Sequence, residues 1–485
     1  MNIKNSILAM ATMALVLPLS SASCGDDDDD GTAKEPSVTV SLRSQSISEG
    51  AEVDAQSTTL LTLTYNVSVK LAASPGITLN GAAVSATRNP QDVTGILIAL
   101  SLEEGTSYTL IVPEGAVVAG SDAKASAPAL TLNFKTKEKV QTPTTDVSST
   151  PLTTNAAARK LYDYLYGQYG KKVISSVMAN VNWNNECAEK VYKLTGKYPA
   201  MNCYDFIHIC YSGSGSWINY DDIKPVQQWV NAGGLVQLMW HVNVPKSEGA
   251  TDYSFYSDGN SFKASNALVS GTWENKWLYE QMDKVVSVLL KLQQAGIAAT
   301  WRPFHEAAGN ATARQQASWT NAWFWWGTEG AAVYRQLWHA MFDYFKQKGV
   351  ENLIWVWTTQ NYNGNSNTFY QDTDWYPGDE YVDMVARDLY GSDVSANVQE
   401  FTEIQAAYPT KMVALGECGY STGGGARTEQ GNIGDCFRQG AQWSHFMAWC
   451  QGGQGSTDTM CSDAWWLDAM SSDIVITRDQ LPDMR

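Results

Sequence analysis

The sequence is poor in charged residues, and basic residues are the scarcer kind. Only 17% of its 485 residues are charged, and 33 Lys and Arg stand against 50 Asp and Glu, for a formal net charge of −17. So acidic a chain argues against nucleic-acid partners, and it would repel an acidic polymer. The low charge also argues against long disorder, and the length implies two or more domains.

Cysteine is scarce as well. Eight are present, and seven of them lie between Cys187 and Cys461. Their odd number, irregular spacing and lack of paired CxxC motifs predict neither a disulfide framework nor a zinc site. We expect most of these cysteines to be small buried hydrophobic residues.

The apolar run near the start is too short for a permanent membrane-spanning helix. Lys4 precedes the run at 7–19, and small residues at 20–23 precede Cys24. This is the pattern of a signal peptide over residues 1–23. It resembles a bacterial lipoprotein signal, except that Ser21 stands where Leu is commoner. The resemblance implies that Cys24 begins the mature chain and carries a membrane-anchoring lipid.

An acidic segment over residues 24–36 follows, with five consecutive aspartates at 26–30. The run resembles the surface-export signal of lipoproteins in Bacteroidetes, and it is equally consistent with a solvated tether. We expect a secreted, lipid-anchored protein at the outer membrane, on the cell surface or on the periplasmic face.

Residues 37–137 have short alternating segments, such as 38–42 and 60–67, between Gly, Pro, Asn and Asp turns. About 100 residues of this pattern predict an all-β immunoglobulin-like sandwich domain. Residues 138–154, rich in Thr, Ser and Pro, are predicted to be a linker.

From residue 155 to 485, short apolar runs alternate with longer segments of helical period. In one such segment Leu278, Met282, Val285, Leu289 and Leu292 share a face before Gly296. The predicted strands are Val173–Met178, Tyr198–Cys203, Leu235–Trp240, Ala298–Phe304, Leu353–Trp357, Met384–Leu389, Met412–Leu415 and Phe446–Trp449. Eight strand–helix repeats predict an α/β fold, a (β/α)8 TIM barrel, with catalytic groups at the carboxyl ends of the strands.

Two glutamates lie at the ends of predicted strands, in positions that suit glycoside hydrolysis. Glu306 closes the fourth predicted strand and Glu417 the seventh, so both belong to one rim of the barrel. A lone Glu there is more often exposed or ion-paired, but a retaining glycosidase needs two carboxyl groups about 5–5.5 Å apart. The pair therefore favours a retaining glycoside hydrolase, and the many aromatic residues, 19 Trp and 23 Tyr, would suit stacking on sugar rings.

The segment Pro303-Phe304-His305-Glu306, followed by Trp323-Phe324-Trp325-Trp326-Gly327, resembles glycoside hydrolase family 26. This family belongs to a large clan of retaining barrel enzymes and has His before the acid/base Glu, where the clan more often has Asn. The resemblance covers the chain from about Asn155 to its end. It implies a neutral plant polysaccharide as substrate, mainly β-1,4-mannan, glucomannan or galactomannan, with β-1,3-xylan and mixed-linkage β-glucan as alternatives. No metal or organic cofactor is expected, and the chain is expected to be a monomer.

The resemblance assigns roles to the residues around the two glutamates. Glu306 corresponds to the acid/base and Glu417 to the nucleophile, with His305 hydrogen-bonding the sugar at the cleavage site. Tyr390 corresponds to the tyrosine that positions the nucleophile, and Asp388 would support it. Further expected site residues are Arg302, ion-paired near the nucleophile, His241 on the glycone side, Trp449 beneath the sugar, and Trp323 in the adjacent subsite.

Some features leave alternatives open. An insertion between Ala307 and Ala322 makes it uncertain which Trp faces substrate, since Trp325 and Trp326 suit the outer helix layer equally. The long loop 247–272 could wall the cleft or merely cover the rim. Residues 37–137 contain neither Trp nor Cys, which favours a spacer over a carbohydrate-binding module. A non-catalytic glycan-binding lipoprotein is the rival reading, and retention of both Glu306 and Glu417 argues against it.

Overall fold

The computed structural model describes residues 38–136, 146–309, 322–360 and 372–484, apart from residues 54, 56, 57, 104, 181, 182, 423–425 and 452–457. The predicted signal peptide, Cys24 and the acidic tether lie outside these residues, as does most of the insertion before Trp323. The chain divides into two units between Lys139 and Val140. None of the helices in the described part is long and apolar enough to cross a membrane.

The first unit is built of short strands. Its described strands are β1 (Leu42–Gln45), β2 (Glu52–Val53), β3 (Leu60–Tyr65), β4 (Val69–Leu71), β5 (Thr78–Leu79), β6 (Ala82–Ala83), β7 (Ala86–Arg88), β8 (Gly95–Ala99), β9 (Ser107–Val112), β10 (Val117–Ala119) and β11 (Leu130–Thr136). They form sheets in the orders β1-β3-β8-β7, β2-β11-β9-β5-β6 and β10-β4. Alternate residues of β3, Leu61, Leu63 and Tyr65, enter one apolar core, as the alternating pattern predicts.

The second unit contains a closed barrel of eight parallel strands. These are β12 (Val173–Met178), β13 (Met201–Asp205), β14 (Leu235–Trp240), β17 (Ala299–Pro303), β18 (Leu353–Thr359), β19 (Met384–Tyr390), β20 (Met412–Gly419) and β21 (His445–Ala448). The sheet closes because β12 pairs with both β13 and β21. A hairpin of β15 (Val244–Pro245) and β16 (Tyr253–Ser254) follows the third barrel strand, and β22 (Val475–Ile476) pairs with β12. The predicted barrel is confirmed.

Helices connect the barrel strands. The described ones are α1 (Ala156–Gln168), α2 (Glu186–Thr195), α3 (Lys224–Asn231), α4 (Ala264–Ala267), α5 (Trp273–Gln294), α6 (Ala331–Gln347), α7 (Val394–Ala407), α8 (Ile433–Arg438) and α9 (Asp463–Ser471). Helix α5 begins at the Thr272 cap, whose side chain accepts from the Asn275 N–H, and the five residues of its predicted apolar face are all buried. Helix α5 packs on the barrel mainly through this apolar face.

Apolar side chains fill one end of the barrel, and polar side chains lie at the other end. Near the amino ends of the strands, side chains such as Met201, Met384 and Met412 form an apolar cluster with Leu161 and Leu165 of α1. Helix α1 thus closes this end. The carboxyl ends carry polar groups instead, which is the arrangement of barrel enzymes.

Residues 147–154, predicted as part of the linker, pack on the barrel unit. Val147 is buried, and the Leu152 N–H donates to the Asp383 carboxylate at 2.7 Å. The Thr153 hydroxyl donates to the Glu351 carbonyl at 2.5 Å. This part of the predicted linker therefore lies against the barrel, where its backbone and side-chain groups have hydrogen-bond partners.

The structure contains a disulfide that the cysteine pattern did not predict. Cys187 on α2 is bonded to Cys450, just after β21, across 263 residues of sequence. The other five cysteines of the described chain are free thiols, four of them buried, namely Cys203, Cys418, Cys436 and Cys461, with Cys210 half-buried. The spacing predicted no disulfide framework and left single pairings open, and one distant pair meets in the fold.

Candidate active site

The residues expected to form the site meet at the carboxyl rim of the barrel. His241 follows β14, His305 and Glu306 follow β17, and Trp449 follows β21. The remaining members lie on strands or on the loop after β17, namely Arg302 on β17, Asp388 and Tyr390 on β19, Glu417 on β20, and Trp323. The structure thus brings all nine expected site residues of the barrel together, and only Cys24 lies outside the described residues.

The backbone after β17 is bent in an uncommon way. Phe304 and Glu306 both have positive φ, 47° and 51°, a left-handed conformation that costs free energy for residues with side chains. The Tyr334 hydroxyl donates to the Phe304 carbonyl at 3.1 Å, and the Trp326 indole N–H donates to the His305 carbonyl at 2.9 Å. These bonds hold the bend that turns Glu306 into the site.

An extra residue in β20 sets the orientation of the Glu417 side chain. In the β19–β20 pairing Arg387 lies opposite Leu415, but Asp388 lies opposite Glu417, so Gly416 is the additional residue of a bulge. A Cβ at Gly416 would lie 2.6 Å from the Asp388 Oδ1. Glycine is needed there because the Asp388 carboxylate occupies the space.

Glu417 is held through both of its carboxylate oxygens. The Arg302 Nη2 donates to Oε1, and the Tyr390 hydroxyl donates to Oε2 at 2.7 Å. Arg302 also binds Asp388, with Nη1 2.9 Å from Oδ2, and Thr358, at 3.1 Å. Burial would lower the pKa of Arg302, but the charges of Asp388 and Glu417 raise it, so it stays cationic and fixes both carboxylates.

Glu306 faces this pair. One oxygen each of Glu306, Asp388 and Glu417 lies within 4.8 Å of the others. Burial, and then the charges of Asp388 and Glu417, raise the pKa of Glu306 well above the ordinary 4.5. The Trp323 indole N–H donates to its Oε2 at 3.0 Å. The site therefore holds one protonated carboxyl beside an ion-paired one.

Three acidic groups this close could in principle bind a metal ion. Arg302 already pairs with two of them, Asp388 and Glu417. Burial raises the pKa of Asp388 to about 7, with Arg302 opposing and Glu417 adding to the shift. A buried guanidinium that neutralises the cluster fits acid–base chemistry rather than a metal centre.

A buried chain of polar groups links Asp205 to Glu417. The His241 Nδ1 lies 2.5 Å from the Asp205 Oδ2, and the His241 backbone N–H donates to Oδ1 at 3.0 Å. The His241 Nε2 lies 3.0 Å from the His305 Nε2, which is 3.6 Å from the Glu417 Oε1. Sequence reasoning missed Asp205, although an acidic residue just past a buried strand was the signal that could have found it.

The chain of contacts decides where the protons lie. If Asp205 accepts from the Nδ1–H of His241, the lone pair of a neutral His241 lies on Nε2 and accepts from the Nε2–H of His305. Burial, and then His241 and Arg302, hold the pKa of His305 well below 6.5, so its ring is neutral. The His305 Nε2–H thus faces both His241 and Glu417.

Replacing Asp205 with asparagine should lower kcat by about 10²-fold with a smaller change in KM. The amide of Asp205→Asn would donate to the His241 Nδ1, so the proton of His241 would move to Nε2 and turn the N–H of His305 away from Glu417. Steady-state kinetics test this, with Asp221→Asn, in an exposed ion pair with Lys291, as the control. Unchanged kcat in Asp205→Asn would show that the proton arrangement has no part in turnover.

Aromatic rings lie beside Glu306 and His241 in the site. Trp323 and Trp449 are both half-buried, with Trp323 bound to Glu306 and Trp449 lying 5.7 Å from the His241 ring. The loop 247–272 reaches the site through Phe255, whose ring is 4.9 Å from that of His241. The loop therefore walls the site and does more than cover the rim.

Trp325 and Trp326 do not face the open site. Both are about 1% exposed, and the Trp325 indole N–H donates to the Val242 carbonyl at 2.7 Å while that of Trp326 donates to the His305 carbonyl. The open question of which Trp faces the site is answered by the contact between Trp323 and Glu306. The two buried indoles brace the loops that carry the site.

A closed parallel barrel with paired carboxyl groups after its fourth and seventh strands defines a glycoside hydrolase. Residues 150–464 match the model of glycosyl hydrolase family 26. The chain belongs to that family.

Solved structures show the same barrel. The GH26 domain of an endo-beta-mannanase/endo-beta-glucanase from Prevotella bryantii is 50% identical, with a TM-score of 0.65, and the match covers 69% of this chain and 99% of that one. A beta-mannanase from a symbiotic protist of the termite Reticulitermes speratus, complexed with gluco-manno-oligosaccharide, is 31% identical, with a TM-score of 0.54, over 70% of this chain and 98% of that one.

Curated relatives carry a mannanase name. A mannan endo-1,4-beta-mannosidase of Thermothelomyces thermophilus is 27% identical over 89% of this chain and 82% of its own length. Mannan endo-1,4-beta-mannosidase B of Piromyces sp is 28% identical over 67% of this chain. The match spans about half, 52%, of that Piromyces protein.

Proposed function

We propose that this chain is a retaining endo-β-1,4-mannanase that acts on mannan, glucomannan or galactomannan. The observation that carries the reaction type is the facing pair of half-buried Glu306 and buried Glu417, with carboxyl oxygens within 4.8 Å. This matches the short spacing of retaining enzymes, about 5–5.5 Å, and leaves no room for the water of an inverting one. The names of the relatives support mannan as the polymer.

The reaction is a double displacement. An oxygen of Glu417 attacks the anomeric carbon while the proton of Glu306 moves to the leaving oxygen, and the glycosidic bond breaks. Glu306, now a carboxylate, then takes a proton from water as the water oxygen attacks the same carbon and the bond to Glu417 breaks. Arg302 and Tyr390 hold Glu417 in position through hydrogen bonds to its two oxygens, and every proton moves between groups of the chain, substrate and water.

Activity should persist well above the pH at which an ordinary carboxyl loses its proton. The first step needs protonated Glu306, whose pKa is raised by burial and by Asp388 and Glu417. A raised pKa keeps the proton at low and intermediate pH, so kcat/KM is lost only as pH rises through this value. The pH dependence of kcat/KM on a mannooligosaccharide tests this. A basic limb near pH 4.5 would contradict the protonated state of Glu306.

The polymer is tested by reducing-sugar release from konjac glucomannan, carob galactomannan, β-1,3-xylan and barley β-glucan. The proposal expects rapid hydrolysis of the two mannans. If only xylan or only β-glucan were hydrolysed rapidly, that polymer and not mannan would be the substrate. No activity on any of the four would favour a glycan-binding protein.

We infer that the mature chain begins at lipidated Cys24 and is held at the outer membrane, on the cell surface or on the periplasmic face. The run 7–19 before the small residues at 20–23 supports the anchor. Incorporation of labelled palmitate by the wild type but not by Cys24→Ala would be the expected result. Equal labelling of both proteins would contradict the anchor.

We also propose that the first unit is an immunoglobulin-like sandwich that acts as a spacer. Its sheets, antiparallel except for the β2–β11 pair, share one apolar core and support the sandwich, and the lack of Trp over residues 37–137 supports a spacer. Deleting this unit from the protein should leave kcat/KM on soluble oligosaccharides unchanged. A loss of affinity for soluble mannan would instead indicate a carbohydrate-binding module.

A further inference from the structure

Three ring side chains after β13 remain in contact with solvent. Trp217 is 54% exposed and Tyr211 40% exposed. The ring of His208 lies 4.8 Å from that of Trp217 in an edge contact, and the Tyr211 ring lies 6.4 Å from it. We call His208, Tyr211 and Trp217 the aromatic ledge. Such exposure sacrifices the hydrophobic stabilisation that an indole gains when buried, so folding alone does not explain it.

The loop that carries the aromatic ledge is ordered by its own hydrogen bonds. The Ser216 hydroxyl donates to the Tyr211 carbonyl at 2.7 Å, and the Tyr220 N–H donates to the Ser212 hydroxyl at 2.9 Å. The fully buried Tyr220 donates its hydroxyl to the Asp205 carbonyl at 2.6 Å. The rings are thus held in place before any ligand arrives, which lowers the entropy lost on binding.

The aromatic ledge is continuous with the active site. It follows directly on Asp205, which holds His241, and the Asn243 amide donates to the Ile207 carbonyl at 2.7 Å. The Tyr211 ring packs edge-on against Tyr253 at 5.4 Å, in the loop that walls the site. Its ligand is therefore expected to extend out of the catalytic cleft.

The position of the ledge indicates which part of the ligand it meets. Trp323 and Glu306 follow β17 and lie at the leaving-group side, because Glu306 gives its proton to the leaving oxygen. Strand β14, with His241, separates β17 from β13 in the barrel. The ledge after β13 thus lies beyond His241, on the side of the sugars that stay bonded to the enzyme.

We propose that the aromatic ledge is a distal glycone subsite, in which Trp217 stacks on the apolar face of a pyranose further along the same polysaccharide chain. This inference rests on the proposed function and adds to it a residue that determines chain-length preference. Flat indole and phenol rings bind such faces while their polar tips reach hydroxyls. His208 and Tyr211 flank Trp217 and supply those polar tips.

The test compares Trp217→Ala with wild type on mannohexaose and on an activated aryl β-mannoside that carries a single sugar. Loss of one stacking contact should lower kcat/KM on mannohexaose roughly 3- to 10-fold. The aryl mannoside should react at the wild-type rate. Trp217→Phe should restore most of the loss, and Tyr166→Ala, an exposed tyrosine on α1 (40%), is the matched control.

The outcomes separate this inference from the proposed function. Wild-type kcat/KM for Trp217→Ala on mannohexaose would overturn the subsite while leaving the mannanase intact. An equal loss on both substrates would also overturn it, because Trp217 would then act on the catalytic centre or the fold. No hydrolysis of either substrate by the wild type would instead contradict the proposed function.

Discussion

Replacing Glu417 with alanine is expected to lower kcat on mannan by at least about 10⁴-fold with the fold intact. Without this carboxylate no covalent glycosyl intermediate can form. The fold should persist because Arg302 keeps its ion pair with Asp388 at 2.9 Å and is not left as an unpaired buried charge. Turnover and the thermal melting temperature test both halves of the prediction.

Labelling identifies the nucleophile independently of rates. An activated fluorinated β-mannoside should attach covalently to Glu417 in the wild type and fail to label Glu417→Ala. Glu280→Ala, an exposed glutamate on α5, is the matched control and should label normally. Label on any other residue would overturn the assignment of Glu417.

The second large effect is expected for Glu306→Gln, which should lower kcat/KM on mannan about 10²- to 10⁴-fold. Glutamine keeps the bond from Trp323, at 3.0 Å in the wild type, but it has no proton to give to the leaving oxygen. An aryl mannoside with a good leaving group needs no such proton for the first step, so its glycosylation should be much less affected. Pre-steady-state release of the aryl group measures this step.

The result that would contradict the acid/base role is an equal loss on both substrates. In Glu306→Gln the second step should also be slow, since water loses its base, and the covalent intermediate should accumulate. A small nucleophile such as azide, which needs no base, should restore turnover of the aryl substrate. Failure of azide to do so would place the acid/base elsewhere.

Most of the barrel is predictable because its strands are uninterrupted apolar runs buried on both faces. β12, β14, β18, β19 and β20 begin at the expected residues, and β12 and β14 also end there. Once strand order is known, Glu306 and Glu417 fall on one rim without further information. This part of the site follows from the sequence.

The second barrel strand shows where the pattern fails. The apolar run predicts Tyr198–Cys203, but β13 is Met201–Asp205, because Pro199 lacks an N–H for the ladder and instead bridges to Thr477. The shift moves Asp205 from the loop to the strand end. Its contact with His241 depends on three-dimensional proximity over 36 residues, which no local pattern records.

The orientation of the catalytic side chains could also not be predicted from the sequence. The bulge at Gly416 lengthens β20 from the predicted end at Leu415 to Gly419, and positive φ at Phe304 and Glu306 opposes their local preference. Both distortions persist because surrounding contacts enforce them. Local rules fail here because the site requires geometry that isolated residues avoid.

The measurement that tests the central claim most directly is the anomeric configuration of the first product, followed by proton NMR during early hydrolysis of mannopentaose. Glu306 and Glu417, with oxygens within 4.8 Å, predict net retention, so the new reducing end should appear first as the β-anomer and mutarotate later. Initial release of the α-anomer would contradict the double displacement and the roles given to both glutamates.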